Sequence, residues 1–431
     1  MKLIIHKIHK IAGKVAPPSS KSQTIRALFL AAIANGESSL KNPLFCDDTE
    51  SAIRVCQGLG AAITKVENDN LKIISTGLPL NAIDKVINSG SSGITTNFSL
   101  PLLGLRKDLS RPVVLDCSAQ MKQRSIASLV FALQNLGMQI KSLEKNNSCP
   151  LSITGKLLGG EARVSGLTSQ FMSALLLSLP LAENDSSILV EDLHERPYLE
   201  MTEALLKEQK IIFKHLSGNG FDVFKIKGGQ RFLPFQKTIP VDFSSASYLI
   251  AAGVLFHGQV RLLGVDMDDC QGDKKMIYLL QQMGADIKID DKELVISGGK
   301  SLRGIKIDAN EIPDLVPTLA VVATRAEGCT EIYNVAHARD KETDRIRSMS
   351  IGLSAMGAYV EEKGDGLIIR KSELRGAEVN GYGDHRTVMA LAVAGLLAEG
   401  ETTISTAEAI SKTFPNFVQL MNILGANIQI I

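Results

Sequence analysis

Two kinds of hydrophobic pattern alternate along the chain. In the first, apolar residues fill most positions of a segment of about ten residues, which predicts a helix buried on all sides. In the second, apolar residues recur every three or four positions beside polar ones, which predicts an amphipathic helix. Helices of the first kind are predicted at residues 25–34, 98–105, 171–182, 246–256, 315–324 and 388–398.

A short repeated motif ends the amphipathic helices and leads into a strand. Its copies are Leu59-Gly60-Ala61-Ala62-Ile63, Leu136-Gly137-Met138-Gln139-Ile140, Met283-Gly284-Ala285-Asp286-Ile287, Met356-Gly357-Ala358-Tyr359-Val360 and Leu424-Gly425-Ala426-Asn427-Ile428. A glycine in the left-handed conformation commonly ends a helix in this way. The interval from Gly137 to Gly284 is about twice the others, and residues 207–213, near its middle, keep the strand but lack the glycine. We therefore predict six copies of one unit, each made of a buried helix, a strand, a loop, an amphipathic helix and two strands.

The two chain ends indicate how the copies are grouped. The last copy stops at Ile431 after one strand, and residues 1–11 form a strand that belongs to no copy. The N-terminal strand is therefore expected to complete the last sheet. This predicts an α/β protein with one domain formed by residues 1–18 and 240–431 and another by residues 19–239. The chain crosses between them near Pro17-Pro18 and at 234–240, and a cleft between two domains is the usual position of a binding site.

Composition restricts the class of partner. The 431 residues are 45% hydrophobic and 22% charged, with a net charge of +1, as in ordinary globular proteins. Such a balance argues against nucleic acid or an anionic membrane as the main partner, because both bind broad basic surfaces. An anion site must then be a local cluster of cations.

The spacing of the cysteines and the lengths of the apolar runs indicate the cellular compartment that is expected. The six cysteines are scattered with no CxxC pair, so neither a zinc site nor a disulfide framework is predicted. Reduced thiols in a cytoplasmic protein are expected. Residues 1–11 lack the apolar core of a signal peptide, and the longest apolar run, 171–182, is too short to span a bilayer.

The start of the first buried helix has the character of an anion site. Pro17-Pro18 hold the backbone extended, and the serines at 19, 20 and 22 are candidate N-caps. The unpaired N–H groups of a helix start bind anions, and Lys21 and Arg26 add charge within the first turns. For this window alone, a capped surface helix with a solvated lysine and arginine explains the sequence equally well.

The other buried helices begin with comparable segments. These are Ser89-Gly90-Ser91-Ser92-Gly93, Leu167-Thr168-Ser169-Gln170, Asp242-Phe243-Ser244-Ser245, Pro313-Asp314-Leu315 and Gly383-Asp384-His385-Arg386. The loops before the amphipathic helices add Met121-Lys122-Gln123-Arg124, Glu195-Arg196-Pro197-Tyr198, Asp340-Lys341-Glu342-Thr343-Asp344-Arg345 and Ser411-Lys412-Thr413-Phe414-Pro415. If equivalent helices point the same way, several positive helix ends converge, which suits phosphate and carboxylate ligands.

These motifs together resemble a known family, the 5-enolpyruvylshikimate-3-phosphate synthases. The resemblance extends from about Val15 to Gln419 and is carried by Pro18-Ser19-Ser20-Lys21-Ser22 with Arg26, Ser169-Gln170-Phe171, Arg196-Pro197-Tyr198, Tyr333-Asn334, Lys341-Glu342-Thr343-Asp344-Arg345, Asp384-His385-Arg386 and Lys412-Thr413-Phe414-Pro415. It implies two domains of three βαβαββ units each, with the active site in the cleft between them. It also implies transfer of enolpyruvyl from phosphoenolpyruvate to the 5-hydroxyl of shikimate 3-phosphate, by a cytoplasmic monomer without a cofactor or metal.

The resemblance also assigns roles to residues. The residues that would bind shikimate 3-phosphate are Lys21, Ser22, Arg26, Thr168, Ser169, Gln170, Tyr198, Asp314, Asn334 and Lys341. Those that would bind phosphoenolpyruvate are Lys21, Gly93, Arg124, Gln170, Arg345, Arg386 and Lys412. Asp314 would be the base for the 5-hydroxyl and Glu342 the acid that protonates the methylene carbon, with Lys21 also catalytic. For His385 a binding role and a structural role stay equally open.

The chemistry of the reaction explains these residue types. Phosphoenolpyruvate carries a phosphate and a carboxylate on a small skeleton, so bidentate arginines and point-charge lysines are suitable partners. Protonation of its methylene carbon makes the neighbouring carbon electrophilic while the hydroxyl attacks. This step needs one acid and one base.

Some positions depart from the family pattern. Gly93 is followed by Ile94-Thr95-Thr96-Asn97-Phe98, where the family commonly has a threonine and then an Arg-Pro pair. Thr168 replaces the usual serine but keeps the hydroxyl. Glu195 replaces a small hydroxyl residue, and its carboxylate would repel a phosphate, so it is left out of the predicted site.

Two other functions are considered. The first is enolpyruvyl transfer to UDP-N-acetylglucosamine by the sister family with the same fold, whose Lys-Asn pair and Gly-Gly-Cys loop are absent here. The second is a binding protein without catalysis on the same scaffold. Phosphate release on mixing the protein with the substrates distinguishes the three functions: release with shikimate 3-phosphate supports the first, release with the UDP-sugar supports the sister reaction, and no release supports a binding protein.

Overall fold

A computed structural model of the protein describes residues 1–82, 84–144 and 147–431. Its α-helices are α1 (Lys21–Ile33), α2 (Asp47–Gly58), α3 (Gly93–Leu102), α4 (Ala119–Lys122), α5 (Ala127–Asn135), α6 (Ser169–Ser178), α7 (Arg196–Glu208), α8 (Phe243–Leu255), α9 (Lys275–Met283), α10 (Val316–Ala323), α11 (Arg345–Ala355), α12 (His385–Leu397) and α13 (Phe417–Ile423). Short 3₁₀ helices at Pro313–Leu315 and Ala407–Lys412 carry two of the predicted site residues.

The strands are short and numerous. They are β1 (Lys2–His6), β2 (Gly13–Val15), β3 (Asn35–Lys41), β4 (Ala62–Lys65), β5 (Leu71–Thr76), β6 (Val86–Asn88), β7 (Val113–Asp116), β8 (Met138–Ser142), β9 (Leu151–Gly155), β10 (Gly160–Ser165), β11 (Ser186–Glu191), β12 (Phe213–Ser217), β13 (Phe221–Ile226), β14 (Gln236–Thr238), β15 (Gly258–Leu263), β16 (Asp286–Asp290), β17 (Glu293–Gly298), β18 (Leu302–Arg303), β19 (Lys306–Asp308), β20 (Ala326–Glu327), β21 (Cys329–Tyr333), β22 (Tyr359–Lys363), β23 (Gly366–Arg370), β24 (Glu378–Asn380), β25 (Glu401–Ser405) and β26 (Ile428–Ile430).

One four-stranded sheet pattern recurs throughout the described chain. In the sheet β6-β7-β9-β8, β6 and β7 pair in parallel, whereas β9 pairs antiparallel with both β7 and β8. Helix α3 connects the parallel strands and α4 with α5 leads to β8, which gives the order βαβαββ. The sheets β10-β11-β13-β12 and β19-β21-β23-β22 repeat this order. The predicted α/β fold of repeated units is confirmed.

The chain groups into two compact units. We call residues Met1–Pro18 with Pro240–Ile431 the terminal unit and residues Ser19–Ile239 the central unit. A short strand precedes each point where the chain passes from one unit to the other. Strand β2 pairs with β15 in the terminal unit, and β14 pairs with β3 in the central unit. The N-terminal strand β1 lies between β25 and β26, so it completes the last sheet as predicted.

The repeated glycine motif ends helices as predicted. All five of its glycines have positive φ: Gly60, Gly137, Gly284, Gly357 and Gly425. In the copy that lacks the glycine, Lys210 takes the left-handed conformation instead, with φ of 57°. For a residue with a Cβ, this conformation costs roughly 1–2 kcal/mol. The chain geometry of the unit is thus kept although the residue suited to it is absent.

The apolar helices form the interiors of both units. Residues 23–33 of α1 are all buried, as are residues 243–254 of α8 and 385–396 of α12. In the central unit α3 packs on α6, and the rings of Phe29 and Phe98 meet edge to face at 5.6 Å. Five of the six helices begin two to five residues earlier than the apolar runs predict, whereas α10 begins one residue later. Polar residues such as Lys21 and Arg386 therefore occupy first turns.

Candidate active site

The first turn of α1 places Lys21 against a carboxylate. Ser20 is the N-cap, and its Oγ accepts a hydrogen bond from the backbone N–H of Gln23 at 3.4 Å. The Nζ of Lys21 lies 3.0 Å from Oδ2 of Asp48, near the start of α2. Both side chains are largely buried, with exposed fractions of 15% and 8%. The ion pair fixes the lysine at the helix start.

Arg26 is enclosed by the central unit. Its Nε donates to Oγ1 of Thr202 at 2.9 Å, its Nη2 to the carbonyl of Tyr198 at 2.7 Å, and its Nη1 to the carbonyl of Ser22 at 3.1 Å. The guanidinium also lies 5.6 Å from the ring centroid of Phe98. Arg26 therefore joins α1 to α7 and positions two residues that the sequence assigns to the sugar phosphate, Ser22 and Tyr198.

Three residues predicted to hold phosphoenolpyruvate meet at the start of α3. Ser92 caps this helix, and the Cα of Gly93 faces both Nη1 of Arg124 and Oε1 of Gln170. A Cβ at position 93 would lie 2.8 Å from that nitrogen and 3.5 Å from that oxygen. Asn97, one turn further along α3, donates from Nδ2 to Oε1 of Gln170 at 2.9 Å. The absence of a side chain at Gly93 leaves room for the arginine.

The start of α6 carries Thr168, Ser169 and Gln170. Thr168 is the N-cap, and its Oγ1 accepts from the N–H of Gln170 at 3.4 Å. Glu195 lies directly before α7 in the left-handed conformation, with φ of 55°. Its Oε2 accepts from the backbone N–H of Ser169 at 3.2 Å and from Oγ of Ser169 at 3.1 Å. A carboxylate of the protein thus occupies donors that the sequence assigns to a phosphate.

In the terminal unit, one arginine is surrounded by three carboxylates. The guanidinium of Arg345, 1% exposed, donates from Nη1 to Asp314 and from Nη2 to Glu342, each at 2.5 Å. Its Nε donates to Oδ2 of Asp384 at 2.9 Å. The predicted base and the predicted acid therefore share one guanidinium.

The start of α12 brings a second arginine to the same carboxylate. Asp384 is the N-cap, and its Oδ1 accepts from the N–H of Arg386 at 2.6 Å. The side chain of Arg386 donates from Nη2 to Oδ2 of Asp314 at 2.6 Å. Lys412 donates from Nζ to the carbonyl of Gly383 at 3.2 Å, so its ammonium lies beside the same turn. The starts of α10 and α12 are thus brought together, as the sequence predicts for equivalent helices.

The remaining predicted residues of the terminal unit are placed differently. His385 follows the N-cap and is 1% exposed, within the interior. Lys341 directly precedes Glu342 and is half-buried. Asn334 is exposed, in the left-handed conformation, and donates from Nδ2 to Asp308 at 3.0 Å. The amide of Asn334 therefore contacts the last residue of β19 and has no described contact with Arg345.

Nearly the whole chain matches one family model. The family model of EPSP synthase (3-phosphoshikimate 1-carboxyvinyltransferase) matches residues 5–421. This chain belongs to the EPSP synthase family.

Relatives in the EPSP synthase family span the full chain. A 3-phosphoshikimate 1-carboxyvinyltransferase of Acetivibrio thermocellus is 42% identical over 419 residues, covering 97% of both chains. One from Methanocaldococcus jannaschii is 40% identical and covers 99% of both. Among solved structures, EPSP synthase of Acinetobacter baumannii is similar with a TM-score of 0.84 and 26% identity over 99% of both chains. The enolpyruvyl transferase NikO of Streptomyces tendae, at 18% identity and a TM-score of 0.77, shares the fold.

Asp314 of the terminal unit is a buried carboxylate surrounded by cations. Burial alone would raise the pKa of this carboxyl. The cations of Arg386 and Arg345, with that of Lys341, outweigh burial and hold the pKa of Asp314 well below its usual range. Conversely, burial would lower the pKa of Arg345, but its carboxylate partners raise it well above the ordinary value. Both shifts favour the ionised forms of the pair.

Sequence reasoning missed several residues that contact the predicted site residues. Asp48 and Asp384 were not assigned roles, although they hold Lys21 and Arg345. Asp384 lay inside a quoted motif, and its position before a helix signalled an N-cap. Glu195 was excluded as a ligand, yet it contacts Ser169 directly. No local pattern signals such pairings, because they join residues distant in sequence.

Neither a cluster of metal ligands nor a membrane-spanning helix is found among the described residues. Across residues 1–82, 84–144 and 147–431, no group of three or more His, Cys, Asp or Glu side chains could hold a metal ion. None of the helices in these parts combines the length and apolar character that a membrane crossing requires.

Proposed function

We propose that two sets of residues act on one pair of substrates. The first set is Lys21, Arg124 and Gln170 of the central unit, and the second is Arg345 with its carboxylate partners in the terminal unit. The reaction is that of the family: the chain transfers the enolpyruvyl group of phosphoenolpyruvate to the 5-hydroxyl of shikimate 3-phosphate and releases phosphate. The observation that carries the proposal is that arginines predicted to bind phosphoenolpyruvate contact the predicted base and acid directly.

The central unit offers a set of donors suited to a sugar phosphate. Ser22, Thr168, Ser169 and Tyr198 lie at the starts of α1, α6 and α7, and Arg26 connects these helices. Hydroxyls and N–H groups at helix starts are typical phosphate ligands. Lys21 adds a cation, and Asp314, Asn334 and Lys341 of the terminal unit complete the proposed set for shikimate 3-phosphate.

Most of the proposed phosphoenolpyruvate ligands are cationic side chains, and Gln170 adds an amide. Arg124, Gln170 and Gly93 are adjacent in the central unit. In the terminal unit, Arg345 and Arg386 lie at the starts of α11 and α12, and the ammonium of Lys412 lies beside the start of α12. Two arginines can bind a carboxylate and a phosphate with two hydrogen bonds each. Lys21 is proposed to contact both substrates.

The acid–base chemistry follows from the shared guanidinium. Asp314 accepts from both arginines, so it is a weak base before substrate binds. An anionic substrate that binds Arg345 and Arg386 competes with Asp314 for these two arginines. The pKa of Asp314 then rises. We propose that substrate binding in this way prepares Asp314 to remove the proton of the 5-hydroxyl, while Glu342 protonates the methylene carbon.

Phosphate release with different acceptors tests the reaction. The purified protein is mixed with phosphoenolpyruvate and either shikimate 3-phosphate or UDP-N-acetylglucosamine, and released phosphate and product mass are measured. We expect release, with a product carrying one added enolpyruvyl group, only with shikimate 3-phosphate. Release with the UDP-sugar would favour the sister reaction. No release with either acceptor, despite binding, would favour a protein without catalysis.

We propose the cytoplasm as the site of action and a monomer as the active form. All six cysteines have free thiols in the structure, as expected where thiols are kept reduced. Cell fractionation and sedimentation of the purified protein test these two points. Recovery outside the cytoplasm, or a stable dimer, would contradict them.

A further inference from the structure

Asn97 contacts a proposed substrate ligand although it is not itself one. It lies one turn into α3 and is 4% exposed. Its Nδ2 donates to Oε1 of Gln170 at 2.9 Å, which links α3 to the start of α6. Gln170 in turn lies beside Gly93 and Arg124.

This hydrogen bond selects one orientation of the glutamine amide. A glutamine side chain has one acceptor oxygen and one NH₂ group with two donors. Because Oε1 of Gln170 is engaged by Asn97, the amide offers its Nε2 donors to a ligand. An anion prefers such donors and is repelled by an amide oxygen. The orientation that Asn97 imposes is therefore the one that suits an anionic substrate beside Arg124.

Packing alone does not explain an asparagine at this position. Oδ1 of Asn97 is buried and has no hydrogen-bond partner among the residues that the structure describes. A buried polar atom of this kind destabilises a fold relative to an apolar side chain of similar shape. A leucine would fill the space without that penalty.

We propose that Asn97 is a positioning residue that holds Gln170 with its Nε2 donors directed to phosphoenolpyruvate. The proposal rests on the function proposed above. It adds a residue that contributes to substrate affinity through Gln170 and not through its own contact with substrate.

Four variants and one control separate this role from a structural one. Asn97→Leu keeps the branched shape of the side chain and removes the hydrogen bond. Asn97→Asp substitutes an acceptor for the Nδ2 donor, so the amide of Gln170 is expected to turn and present Oε1. Gln170→Ala and the double variant Asn97→Leu with Gln170→Ala complete a cycle. Ser99→Ala on the same buried helix is the matched control, because its Oγ bonds only within α3 in the described chain.

The expected result is a change in KM for phosphoenolpyruvate. Asn97→Leu should raise this KM roughly threefold to tenfold, the effect of one neutral hydrogen bond, and leave kcat within about twofold. Asn97→Asp should raise it further. Adding Asn97→Leu to Gln170→Ala should change KM no more, because the glutamine through which Asn97 acts is already removed.

Other results would overturn the proposal. An unchanged KM in Asn97→Leu, or effects of the two substitutions that multiply in the double variant, would show that Asn97 does not act through Gln170. Calorimetric titration of phosphoenolpyruvate alone, a measurement that needs no turnover, separates this outcome from failure of the proposed function. A wild-type protein that binds phosphoenolpyruvate but releases no phosphate would contradict the function and leave the Asn97 comparison valid.

Discussion

At the scale of single residues, the arginines proposed to bind phosphoenolpyruvate already have carboxylate partners. Asp314 contacts both Arg345 and Arg386, and Glu342 contacts Arg345. These contacts keep the cations ordered in a buried position, where an unpaired charge is strongly unfavourable. In the proposed reaction, the anionic groups of the substrate compete with Asp314 and Glu342 for the same guanidinium donors.

Replacing Asp314 by asparagine should separate binding from catalysis. Asp314→Asn removes the proposed base, so kcat should fall about a hundredfold or more, within the range for general-base catalysis. The substitution also removes an anion that competes for Arg345 and Arg386. The Kd for phosphoenolpyruvate, measured by calorimetry, should therefore stay the same or fall. Asp290→Asn, an exposed acid of the same unit at the end of β16, is the control. A Kd that rises with kcat unchanged would show that Asp314 only positions the arginines.

Replacing Glu195 by serine should strengthen binding of the sugar phosphate. The carboxylate of Glu195 now accepts two hydrogen bonds from Ser169, so a phosphate at this position must displace it. Glu195→Ser removes the competitor, and the Kd for shikimate 3-phosphate should fall roughly tenfold, as expected for hydrogen bonds to a charged group. Glu191→Gln, an exposed acid four positions earlier, is the control. Weaker binding in Glu195→Ser would show that Glu195 supports the site.

Residue roles were predictable only where a local motif carried them. The N-cap at Ser20 and the positions of Lys21, Asp314 and Arg386 at helix starts follow from the sequence. The partners of these groups do not. Contacts such as that of Asp48 with Lys21 depend on the packing of different helices, which no spacing along the chain encodes.

At the scale of elements, Lys210 allows a test of the repeated unit. It adopts the left-handed conformation that glycine adopts in the other copies. Lys210→Gly should relieve strain but add entropy to the unfolded chain, for a net stabilisation of up to about 1 kcal/mol. Thermal unfolding measures the change. Lys207→Gly, within α7, should instead destabilise by about 1 kcal/mol. Equal losses in both variants would contradict a strained Lys210.

The start of α7 is anchored by a charged group whose effect depends on pH. Arg196 donates to both oxygens of Asp222, and His215 lies 2.8 Å from Asp222 and from Glu203. Burial would raise the pKa of Asp222, but hydrogen bonds from Arg196, His215 and Ser217 lower it overall. This anchor holds the helix that carries Tyr198.

The sign of the pH effect follows from that lowered pKa. Because the pKa is lower in the folded state, ionised Asp222 stabilises the fold above the unfolded value of about 3.9. This stability is lost as the pH falls through the folded pKa. The difference in Tm between wild type and Asp222→Asn should therefore be largest near pH 6 and shrink below about pH 4. A difference that does not change over this range would contradict the ionic role of Asp222.

Long elements were predicted more reliably than short ones. The buried helices follow from a pattern that repeats six times along the chain, and the glycine helix ends from one that repeats five times. The three-residue strands β6, β19 and β24 were absent from the pattern-based unit, because three residues cannot show an alternation of polar and apolar positions. They appeared only through the family resemblance.

At the scale of the whole molecule, the proposed reaction uses residues of both units. Lys21 belongs to the central unit, whereas Glu342 and Asp314 belong to the terminal unit. The fold could be predicted because the six copies and the N-terminal strand leave few ways to group them. The ionisation of the site could not, since it depends on which carboxylate reaches which guanidinium.

The most direct test of the account is phosphate release in a single turnover by variants of both units. Rates are measured with phosphoenolpyruvate and shikimate 3-phosphate for Lys21→Ala, Glu342→Gln and the double variant. We expect Lys21→Ala to lose about 3 kcal/mol of transition-state binding, roughly a hundredfold or more in rate. Glu342→Gln should bind both substrates yet stall, and the double variant should lose less than the product of the two effects. A wild-type rate in either single variant would remove that residue from the reaction and contradict the proposed use of both units.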